Sequence, residues 1–149
     1  MIIKKRDVQL RFNLFNELNS FNEQNPDKKI VPYEVLRNLA YLKQPMQEIE
    51  SQRVALLTSF SDGKKHAINQ EGVVRTLKKD EDLKEGETDS MVGADKFNEY
   101  ATKFNDLMAE DIELKEYLIK SESLKECVEK GLIEQGVAYG LIQLGYIQD

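Results

Sequence analysis

A lone histidine, a lone cysteine and a few acidic clusters are where this sequence could concentrate chemistry. His66 follows Lys64-Lys65. As a general base it needs an orienting carboxylate and a nucleophile beside it. As a metal ligand it needs companions, and there is no second histidine. It reads as a residue of a surface loop. Cys127 lies in Lys125-Glu126-Cys127-Val128-Glu129, with no second cysteine to complete a redox or zinc spacing. It reads as a small helix residue facing the core. Glu110, Asp111 and Glu113 cluster, and Asp80-Glu81-Asp82 form a run. Calcium loops need a set ligand spacing and a turn glycine, and neither cluster has them. A negative cluster opposes the dipole at a helix C-terminus, so the first group marks a helix end. The run reads as a solvated charge patch.

Gly131, Gly136, Gly140 and Gly145 are spaced 5, 4 and 5, with no Lys-Ser or Lys-Thr after them. That is no phosphate loop. Gly136-x-x-x-Gly140 matches a close-packing pattern. Lys4, Lys5, Arg6 and Arg11 supply cations without interleaved aromatics, which is thin for nucleic acid. The sequence thus assigns no catalytic, cofactor-binding or metal residue, and the expectation is a protein that is not an enzyme.

Composition narrows the class. A chain of 149 residues is the usual size of one domain. Hydrophobic residues are 40% and charged residues 32%, a balance that suits amphipathic elements over a thick core. No apolar run approaches the roughly 18 residues of a membrane span. Met1 to Asp7 carry charge with no apolar stretch behind them, so no signal peptide is expected. The unpaired cysteine fits an intracellular or intravirion setting. The net charge of −6 is uneven: residues 1–65 balance at +3 and residues 66–149 at −9. Such asymmetry can orient one copy against another, and it argues against nucleic acid, which needs a basic face.

The elements that would carry any site follow from periodicity. A first helix is predicted from about Asp7 to Glu23, with Leu10, Leu14, Leu18 and Phe21 as its stripe, Phe15 widening it and Asp7 as N-cap. Asn25-Pro26-Asp27 ends it. A second helix is predicted from Tyr33 to Phe60, with Pro32 in its opening turn. Its stripe reads Leu36, Leu39, Leu42, Met46, Ile49, Arg53, Leu56 and Phe60, nearly heptad. Pro45 should kink it. Residues 61–93 form a polar insert with a small hairpin, Ala67-Ile68 against Val73 to Leu77, and a charge-rich, mobile Lys78 to Ser90. A third helix is predicted from Ala94 to about Glu110, with Phe97, Tyr100, Phe104 and Leu107 packing antiparallel on the second helix. An extended segment at Ile112–Ile119, a short helix around Leu124–Glu129 and a last helix through Ile133, Val137, Leu141 and Leu144 complete the chain. The expected fold is mainly α. It is an antiparallel long-helix hairpin with a short N-terminal helix, a small β-hairpin or extended insert at about 61–93, and short C-terminal helices, all in one domain over 1–149.

The order of features resembles a group of small proteins of unknown function encoded by tailed bacteriophages. The likeness rests on a helix opening that reads here Val31-Pro32-Tyr33 to Leu36-Arg37-Asn38-Leu39, and on Glu50-Ser51-Gln52-Arg53-Val54-Ala55-Leu56-Leu57. After the polar insert come Phe97-Asn98-Glu99-Tyr100 and the acidic alternation Glu110 to Leu114. It is a likeness of pattern over most of the chain, and it transfers no functional residues. It implies a phage protein located in the host cytoplasm or the virion.

The expected function is non-enzymatic assembly through protein–protein contact, as a virion component or assembly factor, with itself or other phage proteins as partners and no membrane. The alternative is a phage-encoded binder or inhibitor of a host protein. The apolar tail and the charged insert supply the expected interaction residues: Leu141, Ile142, Tyr146, Ile147, Lys78 and Lys79. Self-association is expected on the same grounds.

Overall fold

The computed structural model describes residues 1–149, and the chain is mainly helical with short strands. In chain order these are β1 (Ile2–Lys4), a 3-10 turn (Lys5–Asp7), α1 (Val8–Gln24), α2 (Pro32–Phe60), β2 (His66–Ile68), β3 (Val74–Thr76) and β4 (Thr88–Ser90). Then follow α3 (Ala94–Met108), β5 (Asp111–Glu113), β6 (Ile119–Lys120), α4 (Ser121–Glu129), α5 (Gln135–Gln143) and β7 (Ile147–Gln148). The chain divides into two compact units, Met1–Gln47 with Asp111–Asp149, and Glu48–Glu110. α2 supplies residues 32–47 to the first and 48–60 to the second, and it stays helical through Pro45.

The first unit is held by an apolar core. α1 buries Val8, Arg11, Phe15, Leu18 and Asn22, a stripe spaced 3, 4, 3 and 4. This corrects the stripe expected from Leu10 to Phe21, since Leu10 is 59% exposed. Both stripes obey helical periodicity and share Leu18. Tertiary partners decide between them: Phe15 meets the Tyr146 ring edge-on at 4.7 Å, and Asn22 is locked to the chain below. Its Nδ2 donates to Ile30 O at 2.9 Å and its Oδ1 accepts from Ile30 N at 2.6 Å. Asp7 precedes α1 but makes no side-chain capping bond. Asn38, 1% exposed, does similar work on α2. It donates to Glu34 O and Tyr117 O and accepts from Tyr117 N, all within 2.9 Å.

Two small ladders join distant parts of this unit. β1 pairs antiparallel with β5, Ile3 opposite Ile112, and β6 pairs parallel with β7, Ile119 opposite Ile147. The sequence announces only the extended character of 112–119. Strands of two or three residues leave no alternation to read. α4 and α5 end where expected, at Gly131 and Gly145, whose φ of +68° and +82° suit glycine.

The second unit is built around a three-stranded antiparallel sheet in the order β3-β2-β4. β2 and β3 form the expected hairpin, with His66 opposite Thr76 and Ile68 opposite Val74. Its turn is drawn in by Asn69, whose Oδ1 accepts from Glu71 N at 3.0 Å and Val73 N at 2.9 Å. β4 was not expected. It lies in the segment Lys78 to Ser90 read as mobile, and that segment is organised by one cation. Arg75 donates to Glu87 at 2.7 and 2.8 Å and to Glu81 at 2.9 Å. Each carboxylate also accepts from a backbone amide, Glu81 from Lys78 N and Glu87 from Lys84 N. α3 packs against β3, and its Tyr100 ring meets Phe60, the last residue of α2, at 5.9 Å. No residue of α3 is fully buried.

Candidate interaction surfaces

The expected interaction residues separate into two kinds. Leu141 is fully buried and Tyr146 is 1% exposed. Both are core residues of the first unit, which corrects their placement on an interaction surface. α5 turns Leu141 inward, and the chain after Gly145 folds back so that Tyr146 packs under Phe15. Burial pushes the Tyr146 hydroxyl up to about 12. Ile147 is half-buried and spent on the β6–β7 ladder. Ile142 is 56% exposed, with Tyr139 beside it at 60%. Lys78 and Lys79 are exposed at the rim of a polar hollow they share with Lys64, Lys65, Thr76 and the acidic run Asp80 to Asp82.

A continuous apolar groove runs between α1 and α5. One hollow of about 490 Å³ is lined by Leu14, Leu18, Phe21 and Ile30 on one side and Leu132, Ile133 and Val137 on the other. A second, of about 300 Å³, adds Leu10, Gly136, Gly140 and Leu144 and shares Leu14 and Val137 with the first. The rim is polar and acidic: Glu17 and Glu134 stand exposed. Leu10 and Leu14 belong to the apolar stripe expected from spacing, but they are not its buried face. They are instead the outer wall of a groove whose floor is the real core.

A second surface lies on α2. The Arg37 guanidinium sits 5.2 Å from the Tyr41 ring centroid, 5.7 Å from Tyr117 and 5.9 Å from Tyr33. It donates to the Tyr41 hydroxyl at 2.8 Å. Tyr33 and Leu36 are each 56% exposed beside it. Rigid tyrosines around a cation match the residue types that carry binding energy at protein interfaces.

His66 overturns the loop reading. It is 2% exposed. Its Nε2 lies 2.9 and 3.0 Å from the two Asp62 carboxylate oxygens, and its Nδ1 lies 3.0 Å from Thr76 Oγ1. Carboxylate, imidazole and hydroxyl in sequence is the arrangement of an activated nucleophile. An acyl-transfer site also needs free donors for a developing oxyanion. The two amides after Thr76 are occupied, Leu77 N on Lys65 O and Lys78 N on Glu81. The trio ties the turn after α2 to the sheet. The His66 bond, then the Lys64 amide, hold the Asp62 carboxyl below its ordinary value. The sequence did hold a signal, since Asp62 sits four residues before the histidine, but the cross-strand hydroxyl required the hairpin register.

Cys127 is buried as read, and burial pushes its thiol up, away from reactivity. No group of three or more His, Cys, Asp or Glu is gathered to hold a metal ion. No helix is long and apolar enough to cross a membrane. No protein-family model matches this chain, and no curated protein or solved structure matches it.

Proposed function

We propose that this is a non-enzymatic bacteriophage protein that acts by protein–protein assembly, as a virion component or an assembly factor. The observation that carries the reading is the open apolar groove between α1 and α5, with Leu10 59% exposed on its wall. An open groove with apolar walls on a polar chain supports a contact site. The resemblance to small tailed-phage proteins supplies the setting, the host cytoplasm or the virion. The expected hairpin of the second and third helices belongs to this reading, supported by Phe60 against Tyr100 and by Lys103 over the Phe60 ring at 5.8 Å. Mass spectrometry of purified particles tests it. Stoichiometric presence supports a virion role, and recovery only with assembly intermediates supports an assembly factor. Absence from both, with capture of one host protein by the intact chain, moves the reading to the host-directed binder.

A further inference from the structure

Two surfaces of the first unit are left open, and they differ in charge. One is the groove between α1 and α5, walled by Leu10, Leu14, Phe21 and Val137. The charged residues that line it are Glu17 and Glu134, both exposed carboxylates, with no cation among them. The other is one face of α2, where Tyr33, Leu36, Arg37, Ala40, Lys43 and Gln44 are all exposed. Residues three and four apart are neighbours on a helix, so these six share one side. From Pro32 to Gln47 the helix carries Arg37 and Lys43 against Glu34 alone, and Glu34 is half-buried. Arg37 donates to the Tyr41 hydroxyl and lies against three tyrosine rings, with no carboxylate bonded to it.

The two surfaces complement each other. The groove is concave and apolar with an acidic rim. The α2 face is convex, and its apolar side chains stand beside cations. Opposite charges at such a contact fix its register and speed encounter. The lengths agree as well: Leu10 to Phe21 along the α1 wall, and Tyr33 to Gln44 along α2, are each about 16 Å of helix. Tyrosine and arginine are also enriched among the residues that hold most of an interface's energy. We infer that the α1–α5 groove is the docking site for this α2 face of a second copy of the chain, with Leu36 set into the groove and Arg37 and Lys43 facing Glu17 and Glu134. This rests on the assembly reading and names its first partner. Every copy carries both surfaces, so two copies close reciprocally or several join head to tail.

Sedimentation of the full-length chain tests the inference. The wild type should self-associate at tens of micromolar, and more weakly as salt rises. Leu10→Lys places a charge on the groove wall, and Leu36→Glu places one on the α2 face, both at exposed positions. Each should weaken association at least about tenfold with circular dichroism unchanged. An equimolar mixture of the two pairs one copy's intact α2 face with the other's intact groove, and should recover part of the association. Loss of folding alone would not give that rescue. Charge reversal checks the rim: a chain with Arg37→Glu and Lys43→Glu should bind one with Glu17→Lys and Glu134→Lys more tightly than either binds itself. A wild type that stays a 17.2 kDa monomer overturns the inference. So does a mixture that shows no recovery. So does undiminished association of Leu36→Glu, which would give the groove another occupant. A monomer found in stoichiometric amounts in particles would remove the self-docking and leave the assembly reading standing. A self-associating chain absent from both particles and assembly intermediates would do the reverse.

Discussion

The two units solve the same problem with different interactions. The first buries fifteen hydrophobic side chains, from Val8 and Phe15 to Leu141 and Tyr146; the second buries only Ile49, Phe60, Ala67 and Val92. What the second lacks in apolar burial it replaces with charge and hydrogen bonding: Arg75 clamped by Glu81 and Glu87, and His66 between Asp62 and Thr76. Apolar burial is non-directional and indifferent to pH. A clamp of ions is directional and titrates. The stability of the first unit should therefore respond to side-chain volume, and that of the second to protonation.

The largest expected effect breaks the first half of that contrast. Phe15 is fully buried and stacked edge-on with Tyr146, so Phe15→Ala should cost about 3–5 kcal/mol, read as a lowered melting midpoint. Amide exchange should show the loss in α1 and α5. Exchange that quickens equally in β2–β4 would mean that the two units unfold as one.

A smaller effect belongs to the His66 trio. His66→Ala removes a buried group that satisfies both Asp62 and Thr76, and should cost about 1–3 kcal/mol, with faster exchange in β2 and β3. His66→Phe fills the same space without the hydrogen bonds. If it matches the wild type, the site is a packing position and the polar account of the second unit is wrong.

Acid separates the units without mutation. The Arg75 hydrogen bond, then the Lys84 amide, hold the Glu87 carboxyl down to about 2. Glu81 is lowered too, first by the Lys78 amide and then by Arg75. Carboxyls depressed in the folded chain contribute stability that is present above the ordinary carboxylate value and lost as pH falls through the folded value. Between about pH 4.5 and 2 the β2–β4 region should lose exchange protection before α1 and α5 do. Arg75→Met should flatten that dependence. Simultaneous loss in both regions would count against the contrast.

The smallest effect has the opposite sign. Gly140→Ala puts a methyl where nothing lies within 4 Å and should stabilise the first unit by about 0.5–1 kcal/mol. A destabilised Gly140→Ala, measured by thermal melting at low concentration, would show an internal role for the glycine.

Long, strongly periodic or sharply punctuated segments were legible. α2 begins at Pro32 and ends at Phe60 because a proline and Ser61-Asp62-Gly63 punctuate it, and the β2–β3 turn is written in Asn69 to Gly72. α1 was legible as a helix and illegible as a face, since two stripes share Leu18 and local spacing ranks neither. β4 was illegible because its few polar residues resemble a loop until Arg75 gathers Glu81 and Glu87. The candidate surface was half legible. Ile142 is exposed as expected, while Leu141 and Tyr146 went to the core and Leu10 came out to the groove.

The sequence by itself determined the helices, one β-hairpin and the uneven charge, because each is read from the residues themselves and their near neighbours. The tertiary structure alone decided which face of α1 is buried, that His66 is enclosed by Asp62 and Thr76, that β1 finds β5 across the chain, and that Gly136 and Gly140 border an open groove. These depend on which surfaces meet. Several pairings satisfy the same periodicity, and only the total burial and hydrogen bonding of the folded chain selects among them.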